Sequence, residues 1–200
     1  MTRLLLATRN VKKLAELQRI LVAERIHGIE VIGLAAVPPF PEAPETGATF
    51  EDNALAKARD AAAATGLPAI ADDSGLAVDA LNGMPGVLSA RWSGKHGDDL
   101  ANLELVLAQL TDVPKDSRGA AFVCAAALVT PTGEETVVRA DWHGTLTHHP
   151  RGTHGFGYDP IFIPGGYTQT SAELEPSVKD GLSHRGQALR LLAPRIGPLT

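Results

Sequence analysis

The N-terminal third of the chain alternates short apolar runs with amphipathic helical patterns. The runs at residues 3–8, 29–33 and 69–71 predict buried strands, because each is short, apolar and bounded by polar or turn-forming residues. Between the runs, apolar residues at helical spacing predict two helices, with Asn10 and Thr49 as N-cap residues. This alternation is typical of an α/β fold.

The second half of the chain has a different pattern. A third helix is predicted to begin after Asp98 or Asp99. Residues 120–130 and 135–142 predict two strands joined by a Pro-Thr-Gly turn, which is a hairpin signal. We therefore expect an α/β domain over residues 1–200, built as one mixed sheet with flanking helices or as two lobes, with a groove between them.

Bulk composition narrows the class of protein. With 200 residues, 44% hydrophobic and 20% charged, the chain has the composition of an ordinary soluble globular protein. The net charge of −5 argues against nucleic acid as the main partner, since neutralising phosphates requires a basic face. The single Cys124 predicts a reduced, buried thiol. No signal peptide or membrane-spanning run is evident, so we expect a cytoplasmic protein without a membrane partner.

Two adjacent acids follow the third predicted strand. Asp72 and Asp73 end the apolar run and precede a serine and a glycine. Ligands of open α/β sheets bind outside the strand ends, so these carboxylates are expected to face a cleft. Neighbouring acids repel unless a cation lies nearby, and a divalent ion is a common solution. Asp73 is the candidate for the chemistry. Alternatively, Asp-Asp-Ser-Gly is only a turn, because all these residue types favour turns.

The start of the first helix is rich in cations. Arg9, Lys12 and Lys13 lie there, where the helix dipole disfavours positive charge. A bound anion would explain this placement, and a loop leading into a helix N-terminus is a common phosphate site. The alternative is that these are solvated surface cations.

A glutamate precedes the second helix. The proline-rich segment of residues 37–44 predicts irregular structure and leads into Glu45. One helix separates Glu45 from Asp73, so the two acids can return to the same end of the sheet. Taken alone, Glu45 would be an ordinary surface residue.

The last third of the chain contains a glycine-framed loop and a donor cluster. Residues 155–160 carry two aromatic rings and an acid, which suit a flat ligand that stacks and donates hydrogen bonds. Lys179, His184 and Arg185 follow, the last two at the start of the terminal helix. Arginine is well shaped for bidentate contact with an acceptor edge. The alternatives are a tight loop held by buried aromatics and a simple helix cap.

Five separated motifs occur together in an order that identifies a family. The chain resembles the inosine triphosphate pyrophosphatase family, also called XTP/dITP diphosphatases, over nearly its whole length. The motifs that carry the resemblance are Thr8-Arg9-Asn10-Val11-Lys12-Lys13, Glu45-Thr46-Gly47, Ala71-Asp72-Asp73-Ser74-Gly75, Phe156-Gly157-Tyr158-Asp159 and Ser183-His184-Arg185.

The resemblance implies a fold and an activity. It implies an elongated α/β fold of two lobes around a central nucleotide-binding cleft, a homodimer, a Mg²⁺ requirement, and hydrolysis of ITP, dITP and XTP to monophosphate and pyrophosphate. Asp73 would be the general base and a metal ligand, with Glu45 as a second acid at the metal. By the same resemblance, the residues that hold the phosphates would be Thr8, Arg9, Asn10, Val11, Lys12, Lys13 and Lys179. The residues that contact the nucleotide would be Ser74, Phe156, Gly157, Tyr158, Asp159, His184 and Arg185.

One residue departs from the family pattern. The first motif is often Thr-Gly-Asn, whereas this chain has Arg9 in place of the glycine. Arginine adopts positive φ less readily than glycine, which puts the backbone contact at that position in question. Two other functions also remain open: pyrophosphohydrolysis of another modified nucleotide, such as a pyrimidine one, and nucleotide binding without turnover.

Overall fold

A computed structural model describes residues 1–41 and 44–199, except for the side chain of Lys12. Within these residues, the helices are α1 (Val11–Ala23), α2 (Phe50–Thr65), α3 (Asp99–Gln109), α4 (Pro176–Leu182) and α5 (His184–Ile196). The strands are β1 (Thr2–Leu6), β2 (Ile29–Gly33), β3 (Ala69–Val78), β4 (Gly119–Val129), β5 (Glu135–Leu146) and β6 (Phe162–Pro164). The predicted irregular segment at residues 37–44 includes Glu42 and Ala43, which lie outside the described residues.

The strands form one sheet in the order β2-β1-β3-β4-β5-β6. β1 runs parallel to both β2 and β3, with Leu5 opposite Ile32 and Ala69. β5 and β6 are antiparallel, with Thr145 opposite Ile163. The expected α/β fold with a mixed sheet and flanking helices is therefore confirmed.

Local sequence signals set the helix boundaries. The hydroxyl oxygen of Thr49 accepts a 3.1 Å hydrogen bond from the backbone N–H of Asp52, so Thr49 caps α2 as predicted. Gly66 ends α2 in the left-handed conformation with φ 67°. Of the two candidates for the α3 cap, Asp98 has this role, because its carboxylate accepts from the N–H of Ala101. No helix in the described part of the chain is long and apolar enough to cross a membrane.

The expectation that the third strand ends before the acid pair is wrong. β3 continues from Ala69 through Asp72 and Asp73 to Val78. Both carboxylates have cationic side chains from other elements as partners. The acids are thus stabilised in extended backbone, and the turn preference of Asp-Asp-Ser-Gly is overridden by tertiary contacts.

The chain folds into two compact units, each made of separate segments. Unit 1 comprises the described residues within 1–73, 124–140 and 185–200, and unit 2 those within 74–123 and 141–184. The core of unit 1 contains the predicted buried Cys124 and apolar residues of the early strands and two helices, including Leu4, Leu6, Leu17, Leu21, Ile70, Leu189 and Leu192. The core of unit 2 includes Leu76, Val78, Leu103, Val106, Leu110, Phe122, Trp142, Tyr158 and Phe162.

Candidate functional site

In unit 1, Asp72 lies between two cations. The Lys13 ammonium donates to both carboxylate oxygens at 3.0 and 2.8 Å. Nε of Arg185 donates to Oδ2 at 3.1 Å. Burial by itself would raise the pKa of Asp72, but Lys13 and Arg185 outweigh it and hold that pKa well below its usual range. Asp72 is therefore a buried carboxylate that is charged at neutral pH.

A second cluster surrounds Asp73. The side-chain amide of Asn53 donates to Oδ2 at 2.9 Å, and the Lys57 ammonium lies 3.4 Å from Oδ1. Lys57 also donates to Oε1 of Glu45 at 2.8 Å. Burial raises the pKa of Asp73 despite the opposing effects of Lys57 and Asn53. The carboxylate is thus partly desolvated and poised to accept a proton, which a general base must do.

Lys57 is held between the two acids. Burial acts to lower its pKa, but Asp73 and Glu45 outweigh burial and raise it. The ammonium therefore remains charged beside the carboxylate that is the candidate base.

Asn53 also connects Asp73 to the loop that carries Glu45. Its amide oxygen accepts a 2.8 Å hydrogen bond from the backbone N–H of Gly47. A β-carbon at Gly47 would lie 2.6 Å from that same oxygen, so glycine is needed for this close approach. One buried amide thus positions both the Glu45-Thr46-Gly47 loop and the Asp73 carboxylate.

Asp72 and Asp73 form their ion pairs with different lysines. Successive side chains of a strand point to opposite faces, and here each acid meets a different main cation, Lys13 for Asp72 and Lys57 for Asp73. The pair therefore divides into a structural anion and a candidate catalytic base.

The acids around Lys57 fit a magnesium ion. Glu45 and Asp73 converge on one point that an ammonium group now contacts. Mg²⁺ is usually held by one or two carboxylates together with substrate phosphates and water. Among the described residues, no group of three or more His, Cys, Asp or Glu side chains could hold a metal ion by themselves. The donor set suits a metal that arrives with a phosphorylated substrate.

The cation-rich loop leads directly into α1. The N–H of Asn10 donates to the hydroxyl of Thr8 at 3.2 Å, and the carbonyl of Asn10 accepts from the N–H of Lys13 at 3.1 Å. No acidic residue occupies the first turn of this helix. In the described residues, the non-glycine residues with positive φ are Arg25 and Asn82, so Arg9 fits this loop without left-handed backbone. The departure at Arg9 therefore does not strain the motif.

In unit 2, the glycine-framed loop presents one aromatic ring to solvent. Phe156 is 64% exposed, and Lys179 Nζ lies 5.4 Å from its ring centroid. The N–H of Phe156 donates to Asp159 and the N–H of Gly157 donates to Asp99, at 2.8 and 2.9 Å. The exposed ring is therefore carried on backbone held by two carboxylates.

Two predicted ligand contacts in this loop have other partners. The Tyr158 ring is buried in the unit 2 core, and its hydroxyl donates to the carbonyl of Ser89 at 2.8 Å. Asp159 is 3% exposed, and its carboxylate accepts hydrogen bonds from Phe156, Lys179 and Ser171. Both side chains hold the loop in place through hydrogen bonds within the protein. We therefore expect a ligand to make its polar contacts with backbone groups of this loop.

The remaining predicted residues are Ser74, His184 and Arg185, which adjoin the positions in the sequence where one unit gives way to the other. Ser74 continues β3 directly after Asp73 and is half-buried. The imidazole of His184 stacks on Phe122, with ring centroids 5.0 Å apart and planes inclined by 11°. Arg185 follows in α5 and contacts Asp72 as described.

Sequence reasoning missed Asn53, Lys57 and Asp99 as site residues. Asn53 and Lys57 occupy i and i+4 positions of α2, so they share one side of the helix. They adjoin Ala54 and Ala58, which form the buried face. Polar residues bordering an alanine-lined face were the available signal. Nothing local distinguishes Asp99 from Asp98.

Comparisons with known proteins cover the whole chain. A model of the Ham1 family matches residues 4–195. The chain is 65% identical to a dITP/XTP pyrophosphatase of Nocardia farcinica, covering 100% of this chain and 97% of the relative. It is 61% identical to a dITP/XTP pyrophosphatase of Mycobacterium tuberculosis, covering 99% and 97%.

Solved structures agree with this likeness. A crystal structure of a nucleoside-triphosphatase, dITP/XTP pyrophosphatase, from Mycobacterium abscessus is 60% identical with a TM-score of 0.83, covering 98% of this chain and 100% of that chain. A HAM1 protein from Coxiella burnetii is 42% identical with a TM-score of 0.89, covering 99% and 100%.

Proposed function

Because this chain belongs to the Ham1 family, we propose that it hydrolyses non-canonical purine nucleoside triphosphates, namely ITP, dITP and XTP, to the monophosphate and pyrophosphate. Such an enzyme removes these nucleotides from the cellular pool. The observation that carries the proposal is that Glu45 and Asp73 both contact the Lys57 ammonium. Asn53, one helical turn before Lys57, orients the Asp73 carboxylate.

Asp73 acts as the general base. Its partly desolvated carboxylate takes a proton from the water that attacks the α-phosphorus, and pyrophosphate leaves. Asn53 holds the carboxylate in one orientation, which keeps the proton acceptor aligned. Lys57 beside it offers positive charge where negative charge develops on the phosphate oxygens.

Glu45 and Asp73 would hold a Mg²⁺ ion that enters with the triphosphate. When bound, this ion supplies charge neutralisation and orientation of the phosphates. Thr8, Arg9, Asn10, Val11, Lys12, Lys13 and Lys179 would bind the triphosphate. The absence of acidic residues in the first turn of α1 supports an anion site there.

The exposed Phe156 ring stacks on the base, and loop backbone at Gly157, Tyr158 and Asp159 contacts its edge. Ser74 contacts the nucleoside, while His184 and Arg185 donate to the 6-oxygen that hypoxanthine and xanthine share. Adenine carries an amino donor at that position, so ATP would place donor against donor.

The setting of the enzyme is proposed as well. The chain would work as a single-domain protein over residues 1–200, as a homodimer and in the cytoplasm, without nucleic-acid or membrane partners. The net charge of −5 supports the exclusion of nucleic acid.

Pyrophosphate release from a panel of triphosphates tests the proposal. ITP, dITP and XTP should be turned over with Mg²⁺ and not after chelation. Turnover of dUTP at the level of ITP would favour hydrolysis of another modified nucleotide. Binding of ITP without release of pyrophosphate would favour a regulatory module. Release of orthophosphate alone would contradict attack at the α-phosphorus.

A further inference from the structure

Asp72 contacts two residues that the proposed function assigns to different parts of the substrate. Lys13, from α1, would bind phosphate, and Arg185, from α5, would contact the base. Asp72 itself lies in β3 with only 5% of its side chain exposed. Three separate elements of unit 1 thus meet at one buried carboxylate.

The geometry restricts both cations. Lys13 donates to the two oxygens of Asp72 at 3.0 and 2.8 Å, which places its ammonium across the carboxylate. Nε of Arg185 donates to Oδ2 at 3.1 Å, so one oxygen serves both cations. Charge-assisted hydrogen bonds of this kind are directional and about twice as strong as neutral ones.

The charge of Asp72 also offsets repulsion between its partners. Two cations that approach the same point repel, and the repulsion is strong where water is largely excluded. Their side chains are only 23% and 13% exposed, so solvent screens them weakly. Without the intervening carboxylate, each long side chain would move towards solvent.

We propose that Asp72 is a positioning residue that sets Lys13 and Arg185 for simultaneous contact with the triphosphate and the base, and this inference rests on the proposed function. Asp72 does not touch the reacting atoms. It acts through the two cations, so its loss should weaken substrate binding more than the chemical step.

A double-mutant cycle tests this action. KM and kcat for ITP are measured for the parent, Asp72→Asn, Lys13→Ala and the double variant. Asp72→Asn should raise KM more than it lowers kcat, and the rise should be smaller once Lys13 is absent. Residues of one ion-pair network couple by about 2- to 150-fold. Effects that multiply independently would overturn the proposal, and so would a fall in KM, which would mean that Asp72 competes with the phosphates.

A matched control distinguishes the loss of the Asp72 contacts from the general effect of losing an ion pair. Glu135 pairs with Arg59 in the same unit, but on an exposed surface. Glu135→Gln should leave KM for ITP unchanged. An equal rise in KM for both variants would overturn the proposal. If Asp72→Asn does not fold, Asp72→Glu keeps the charge but displaces the carboxylate, and the same cycle is measured with it.

Chemical labelling gives a readout that does not depend on turnover. An amine-reactive reagent, read by peptide mass spectrometry, should modify Lys13 faster in Asp72→Asn than in the parent. Lys95 is 82% exposed and serves as the internal reference, with an unchanged rate. Unchanged labelling of Lys13 would overturn the positioning role. If the parent hydrolyses no triphosphate, the proposed function fails, while the labelling still decides whether Asp72 holds Lys13.

Discussion

The side-chain amide of Asn53 joins the backbone N–H of Gly47 to the carboxylate of Asp73. It accepts from Gly47 at 2.8 Å and donates to Asp73 at 2.9 Å. An amide can do both, whereas a carboxylate can only accept and an alanine can do neither. The orientation of the candidate base therefore depends on a residue of α2 that takes no part in the chemistry.

Substitution of Asn53 should lower kcat in a graded way. Asn53→Ala removes a hydrogen bond to a charged group, which is expected to cost about 10- to 150-fold. Asn53→Asp keeps the bond from Gly47 but places a second carboxylate against Asp73, so we expect it to be at least as damaging. Steady-state kinetics with ITP provide the measurement. An Asn53→Asp variant as active as the parent would contradict the orienting role.

Asp73→Asn should abolish useful turnover at every substrate concentration. The change keeps the shape of the side chain but removes both the proton acceptor and the charge for the metal. Loss of a positioned base alone typically costs ~10²–10⁴-fold. Circular dichroism should show that the fold persists. A variant within tenfold of the parent would remove Asp73 from its assigned role.

Lys13→Ala should differ from Asp73→Asn because a phosphate-binding cation contributes to substrate binding. We expect a clear rise in KM for ITP. Lys12→Ala, at the neighbouring position of α1, is the comparison. If Lys12→Ala is damaging and Lys13→Ala is silent, the main phosphate contact belongs to Lys12 and not to Lys13.

Gly155 and Gly157 form a matched pair in the aromatic loop. Both have positive φ, 80° and 59°. A β-carbon at Gly155 would collide with the Asp159 carboxylate and lie 2.9 Å from Lys179 Nζ, whereas one at Gly157 meets nothing within 4 Å. Gly155→Ala should therefore raise KM for ITP well above the effect of Gly157→Ala. Equal effects would mean that backbone strain, and not the Asp159 contacts, governs the loop.

Base choice provides a further prediction. We expect GTP to be a poor substrate. Guanine shares the 6-oxygen of xanthine, so the enzyme can distinguish the two bases only at position 2. The amino group of guanine at that position is nearly the same size as the oxygen of xanthine. We expect a protein donor there, opposed by the guanine amine. The N–H groups of Phe156, Gly157 and Asp159 donate within the protein, which leaves that of Tyr158 as the candidate in this loop.

The cost of such opposed donors is about 1–3 kcal/mol, or roughly 5- to 150-fold in kcat/KM. Comparison of ITP, XTP and GTP at saturating Mg²⁺ measures it. GTP within about threefold of ITP, below the low end of that cost, would contradict the idea. XTP falling to the level of GTP would indicate a steric wall instead.

The sequence predicted those elements whose signals are local. Thr49 caps the start of α2 in the structure as predicted from the sequence, because capping needs only a few neighbouring residues. The extended backbone at Asp72 and Asp73 was not predictable in this way. The Asp72 carboxylate is stabilised there by Lys13 and Arg185, which lie 59 and 113 residues away along the chain.

The loop at Phe156 to Asp159 illustrates the same limit. Its residue types indicated a ligand loop, and Phe156 is exposed as such a role requires. The sequence could not show that Asp159 faces inward, because that orientation follows from Ser171 and Lys179. Residue type indicates which chemistry is available, whereas tertiary contacts decide which atoms remain for a ligand.

The discontinuous build of unit 1 has a consequence for synthesis on the ribosome. Arg185 is made 113 residues after Asp72, and at ordinary rates of translation this interval is about 6 to 23 s. During that time Lys13 can already meet Asp72, but α5 has yet to emerge and cover its side of the core. The nascent chain therefore exposes apolar surface of β1, β3 and α1 until late in translation, and this surface can bind chaperones until α5 covers it.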